Sequence, residues 1–303
     1  MNFSKKNMSE RNWTGKSKGN KTGHQIFIWL LKNFGLKPAY GLLIFVAFYY
    51  FVTSINSNKY IYQFHRKLGF NKAKSFFCIY KNYFSLGQTI IDKIVAMAGF
   101  NNRFTFNFDG EEYLHQMILN GKGGIMLSAH SGNWEIAGHY LDRLNTPIHI
   151  LLLDAEYENL KNYLNQVTGK RKANIIVIKD DMSHVFEIME ALNNNELICI
   201  HADRLLKKDQ KSIDISFLNE KARFPYGIFK MIISYNVPVT FVFAHKETSS
   251  HYHFTATQSK IYNETNKEAK IMQLATDYAS ELEKKVKQYP LQWYNYFNFW
   301  EKA

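Results

Sequence analysis

Residues 128–135 read Ser-Ala-His-Ser-Gly-Asn-Trp-Glu, which sets His130 five positions ahead of Glu135. An imidazole titrates near working pH, so His130 can take the proton from a hydroxyl as that oxygen attacks an acyl carbon. A carboxylate on the other ring nitrogen, here expected from Glu135, fixes the tautomer and stabilises the imidazolium, as in a triad whose serine is replaced by the substrate. Gly132 permits close backbone approach, and amides at a helix start can face a developing oxyanion. As bare spacing, the pair equally fits a strand-end histidine bonded to a carbonyl and a first-turn acid placed by the helix dipole.

Other chemistries fit less well. His139 and His201 let a metal site be drawn with His130 and Glu135, but the spacing matches no hydrolytic zinc signature, and neither metal nor cofactor is expected. Ser128 and Ser131 flank His130 without a Gly-x-Ser-x-Gly elbow. With a base but no convincing nucleophile, a ternary complex is expected rather than an acyl-enzyme. Trp134 suits either an acyl channel or the packing of a helix on a sheet.

These residues need a scaffold that places a strand end beside a helix start. Gly123–His130 is an apolar run ending in small and polar residues, as a buried parallel strand does, and a helix is expected to begin at Asn133. Strands over 147–155, 174–180 and 196–204 alternate with helices over 157–169 and 183–195. A strand at Phe104–Gly110 and a helix at Glu111–Lys122 precede them. After them come a helix from Pro225 to Tyr235, strands at Val239–His245 and His251–Tyr262, and an amphipathic helix ended by Pro290. Residues 59–100 read as helix. The pattern predicts an α/β fold, a mixed and largely parallel sheet flanked by helices, whose ligand crevice lies at the carboxyl ends of the strands.

The formal charge of +12 is unevenly spread. Residues 1–91 carry fourteen Lys and Arg against a single acid, Glu10, which leaves residues 92–303 close to neutral. Basic residues interleaved with aromatics suit an anionic lipid surface, and no nucleic-acid-binding signature accompanies them. Residues 1–23 are polar and expected to be disordered, 24–58 form a hydrophobic membrane-associating segment, and 59–303 the catalytic domain. The charge-free run Pro38–Asn58 is barely long enough to span, and its cations lie on both sides, which favours a helix in the membrane plane or re-entering it over a single span. Cys78 and Cys199 sit far apart in apolar stretches and read as buried free thiols. The aromatic run 293–300 fits a membrane interface or a segment docked on the core.

Residues 121–135 resemble the first block of the lysophospholipid and lipid A late-acyltransferase family, a His-x4-acid inside a His-x-Gly-Asn-Trp-Glu sequence after an apolar strand. Ile200-His201-Ala202-Asp203-Arg204 is similar to its later Asp-Arg segment, Phe217–Gly227 followed by Val237-Pro238-Val239 to a third block, and 289–300 to its closing element. The resemblance implies a glycerol-phosphate-acyltransferase-like fold with an N-terminal membrane-anchoring helix. It also implies His130 and Glu135 as catalytic, and Asp203, Arg204, Gly132, Asn133 and Trp134 around the substrate, Arg204 meeting an acceptor phosphate or pairing with an acid. The implied donor is acyl carrier protein, or coenzyme A, and the acceptor a glycolipid of the lipid A type, at the cytoplasmic face of the inner membrane. His201-Ala202 and Asn219 depart from the family pattern, which keeps another lipid, an aminoacyl lipid or a polyene pigment open as acceptor. A scaffold whose motif has decayed is the non-enzyme alternative, against which both motif residues stand intact.

Overall fold

The computed structural model describes residues 26–97 apart from 28 and 32, then 103–133, 136, 144–153, 174–178, 181, 183–205, 210–264 and 266–300. Trp134, Glu135, His139, the tail 1–23 and the helix expected over 157–169 lie outside the described residues.

After the helical residues 26, 27, 29–31 and 33 come three helices, α1 (Leu36–Thr53), α2 (Ile55–Lys67) and α3 (Lys72–Met97). α1 is long and apolar enough to cross a membrane. The single helix expected over 59–100 is two, because Gly69 takes φ +82° and turns the chain between α2 and α3. Then follow β1 (Thr105–Asp109), α4 (Glu111–Leu119), β2 (Gly124–Ser128), β3 (Ile148–Leu153), β4 (Asn174–Ile178), α5 (Ser183–Asn193) and β5 (Leu197–His201). The chain continues through β6 (Ser212–Phe217), β7 (Glu220–Pro225), α6 (Tyr226–Tyr235), β8 (Val239–Lys246), β9 (His251–Ala256) and α7 (Lys267–Gln288).

The seven-stranded sheet runs β1-β9-β8-β2-β5-β3-β4, and only the β8–β9 pairing is antiparallel. β2 lies at its centre with all five residues buried, so both of its faces are covered. Ile125 and Leu127 point to the face that packs on Leu274, Tyr278 and Leu282 of α7. Met126 points to the other, with Leu114 and Met117 of α4 and Cys199 of β5. β6 and β7 form a separate antiparallel hairpin. Its inward residues Ile213, Ile215 and Phe217 alternate with Ser212, Asp214 and Ser216, and the turn at Leu218-Asn219 holds both residues at positive φ.

The amino-terminal helices pack on this sheet. Ala39 and Leu43 of α1 are buried with Ile91, Ile94 and Val95 of α3 and with Tyr252 and Phe254 of β9.

Candidate active site

β2 and β5 are parallel neighbours, with Ser128 opposite His201. The segments leaving their carboxyl ends, 129–133 and 202–204, therefore emerge side by side, at the strand-end position where open α/β sheets bind ligands. There His130 Nδ1 lies 2.8 Å from Asp203 Oδ1, and the His130 backbone N–H donates to Asp203 Oδ2 at 3.1 Å. The Trp293 indole N–H adds a third bond to the same carboxylate, 3.3 Å to Oδ2.

Asp203 is 2% exposed. Burial alone would raise its carboxyl, but the His130 ring, Arg204 and His201 outweigh it and hold the group well below the usual carboxylate range. An ionised carboxylate only accepts, so the neutral ring carries its proton on Nδ1 and presents a lone pair on Nε2. The His130 side chain keeps 20% exposure, enough for a substrate to reach it. His201, the departure from the family pattern, sets its ring edge-on to His130 at 4.5 Å between centroids.

Gly132 and Asn133 are built into the fold. Gly132 sits at φ +70°, and a Cβ there would fall 2.0 Å from the Ala244 carbonyl oxygen. Its N–H donates to Gln292 O at 2.7 Å, and that of Asn133 to Ala244 O at 2.7 Å. These two amides thus bond the backbones that flank the turn, so neither is available to an oxyanion. The Asn133 side chain is 1% exposed. It donates to Thr89 O and to the Tyr252 hydroxyl, each at 3.2 Å, while its Oδ1 accepts from Ile136 N–H at 3.3 Å, the N-cap pattern.

Arg204 donates from Nη2 to the Tyr294 carbonyl at 2.7 Å, holding the C-terminal segment across the site, while Asp203 pairs with His130. The segment adds an N–H from Tyr294 to His130 O at 3.0 Å. Trp293 is 1% exposed. The closing aromatic run is thereby docked on the core, one of the two placements its composition allowed. His245, at the end of β8, lies with Nε2 2.9 Å from Ser131 Oγ and stacks on Tyr289 at 4.2 Å. Burial, then Lys285 and His253, push its pKa down to about 3, so it stays neutral. Sequence reading passed over His245, although a histidine closing an apolar strand is the same signal that singled out His130.

On the sheet face shared by Met126 and Ser128 lies an apolar pocket, lined among others by Cys199, Ile150, Val242 and Leu114. Among the described residues, no three His, Cys, Asp or Glu side chains converge as metal ligands.

The family model for bacterial lipid A biosynthesis acyltransferases matches residues 78–302 of this chain. The chain belongs to that family. The matched stretch includes His130, the Asp203-Arg204 segment and the tail just described. Among curated relatives, phosphatidylinositol mannoside acyltransferase of Mycobacterium tuberculosis (strain CDC 1551 / Oshkosh) is 25% identical over 129 residues, 41% of this chain and 39% of the relative. The Mycolicibacterium smegmatis protein of the same name is 25% identical over 123 residues, 40% of each chain. This acyltransferase-family chain thus spans about two-fifths of the length of the curated relatives it matches.

Proposed function

We propose that this protein transfers a fatty acyl group from a thioester donor to a hydroxyl of a glycolipid, with His130 as general base and Asp203 as the carboxylate that orients it. The observation that carries the reading is the buried Asp203 carboxylate on His130 Nδ1, which leaves Nε2 as the basic nitrogen of a side chain that keeps 20% exposure. His130 Nε2 takes the acceptor's hydroxyl proton as the oxygen bonds to the thioester carbon. The tetrahedral oxyanion then collapses, the carbon–sulfur bond breaks, and the departing thiolate takes the proton back from the imidazolium. Asp203 stabilises that imidazolium while remaining ionised.

The apolar lining of this pocket, with Leu114, Met126, Ile150 and Val242, suits contact with the hydrocarbon part of a lipid. A glycolipid acceptor is supported by the family description and by the relatives' acceptor, a mannosylated phosphoinositide, both of them sugar-bearing lipids. A lipid A-type precursor as acceptor, acyl carrier protein as donor, and the cytoplasmic face of the inner membrane as location complete the proposal through the resemblance of the sequence blocks. The resemblance of the sequence blocks also assigns Glu135 to the catalytic pair of the His-x4-Glu motif and Trp134 to the substrate.

Acyl transfer from labelled acyl carrier protein to a lipid extract of the source cell, resolved by mass, tests this. A new acylated glycolipid should form with the wild type and fall by about 10²–10⁴-fold with His130→Ala, the range a general base supplies. Equal product from both proteins would remove His130 from the mechanism, and no product with acyl carrier protein or coenzyme A donors would favour the scaffold reading.

A further inference from the structure

α1 is apolar all round, and the domain covers only one side of it. Ala39, Leu43 and Ala47 are buried. Phe45 is 73% exposed, Phe48 58% and Val52 56%, spaced along the opposite face. Beyond its end Ile55 is 74% exposed, and on α3 Phe76 is 51% and Phe77 64% exposed. The Phe51 ring meets Phe76 at 5.3 Å, so the two helices join their apolar residues into one surface. Patches of this kind on a folded chain mark an interaction site.

The charges around the patch indicate what covers it. Lys37, Lys59, Lys72, Lys74 and Lys81 are exposed along its margins, and residues 24–91 contain no Asp or Glu. A cationic rim around an aromatic face complements an anionic phospholipid leaflet, where lysine stems follow the apolar surface and the ammonium groups reach the headgroups.

The packing also fixes how α1 meets that leaflet. At one end, the Tyr40 hydroxyl donates to Asp92, which is fully buried on α3 and paired with Lys246 of β8. Midway, Leu43 fills the space left by Gly87, and Phe51 reaches Phe76 at the other end. α3 is itself held to the domain: Asn82 donates to Leu291 O at 3.0 Å and to Trp293 O at 3.2 Å, and Thr89 Oγ1 lies 2.8 Å from the Tyr294 hydroxyl. For α1 to cross a bilayer it would have to leave the Asp92–Lys246 pair or carry it into hydrocarbon, and both are costly. Its length, 18 residues, would allow a span; it is this packing that opposes one.

We infer that α1 does not span: it lies in the plane of one anionic leaflet, with Phe45, Phe48, Val52 and the Phe76–Phe77 pair of α3 inserted together as a single monotopic surface. This rests on the membrane-associated part of the proposed function and is independent of its chemistry.

The test uses the full chain added to preformed vesicles of phosphatidylethanolamine with phosphatidylglycerol. A fluorophore is placed on single introduced cysteines at Phe45, Phe48, Val52 and Phe77, and nitroxide lipids quench it at the headgroup or at mid-chain. The expected result is shallow quenching at all four positions, with Lys37→Cys and Lys59→Cys both modified by an impermeant thiol reagent from the outer side. Deep quenching at Phe45 and Phe48, none at Phe77, and only one of the two lysine positions reachable would overturn the in-plane surface in favour of a span. No quenching anywhere would overturn the lipid partner and leave the face for a protein. Phe45→Asp, Phe48→Asp and Phe77→Asp should each weaken vesicle binding by about tenfold or more. His130→Ala should bind as the wild type does, so failure of the acyl-transfer reading and failure of this one are separable.

Discussion

Asp203 lies 73 residues beyond His130, and its Oδ1 sits 2.8 Å from the imidazole Nδ1 while Oδ2 accepts the His130 backbone N–H and the Trp293 indole N–H. One buried carboxylate therefore fixes the ring, the strand end that carries it and the C-terminal segment that covers it. Replacing it by an amide of the same shape keeps the packing and changes only the protonation logic. An amide can donate to Nδ1 and stabilise the tautomer whose Nε2 is already protonated. Asp203→Asn should lower kcat by about 10²–10⁴-fold at temperatures where the variant is still folded, read from acyl transfer and thermal unfolding of the same preparation. Full activity in that variant would return the orienting role to Glu135.

Trp293→Phe separates the indole hydrogen bond from the ring's packing on Phe64, Phe217 and Phe299. Loss of one bond to a buried carboxylate is expected to cost about 1–3 kcal/mol in urea unfolding. Trp293→Ala, which also empties the core, should cost roughly 3–5 kcal/mol.

Gly132→Ala forces a Cβ against the Ala244 carbonyl at a left-handed backbone position. The bonds of Gly132 to Gln292 and of Asn133 to Ala244 cannot both survive it. A destabilisation of at least about 2 kcal/mol is expected from chemical denaturation, with activity lost in proportion to misplacement of His130. Unchanged stability would mean that the turn has a second conformation.

Stability should respond to acid in two stages. His245 has a folded pKa of about 3, below the roughly 6.5 of an unfolded histidine. The unfolded chain therefore binds the extra proton, and this contribution is lost as pH falls from about 6.5 towards 3, at up to about 1.4 kcal/mol per unit. Asp203, with its carboxyl depressed in the fold, contributes stability that is complete above about pH 4 and lost as pH falls further. Urea unfolding across pH should show a shallower slope for His245→Gln between about pH 6 and 4. An identical slope in wild type and variant would show that His245 is already charged in the fold.

Much of this protein was decided locally. β2 and β5 were legible because strands of a parallel sheet buried on both faces read as short apolar runs between turn residues, β3 and β4 read as similar apolar runs, and His130 was legible because a polar side chain closes one of them. The excess of cations over residues 1–91, and the apolar stretch of α1 within it, were likewise properties of composition. The β6–β7 hairpin escaped notice because its alternation over Ser212–Phe217 is diluted by surrounding lysines, and its turn uses Leu218-Asn219 in place of a glycine pair. What only the tertiary structure decided is which distant groups meet. Asp203 reaches His130 through the β2–β5 pairing, the tail reaches both through Trp293 and Tyr294, and Tyr40 of α1 reaches Asp92 and Lys246 across more than half the chain. Periodicity records which face of an element is buried, because burial acts on each residue where it stands; it does not record what lies against that face, which depends on strand order and on the register of segments far apart in the chain.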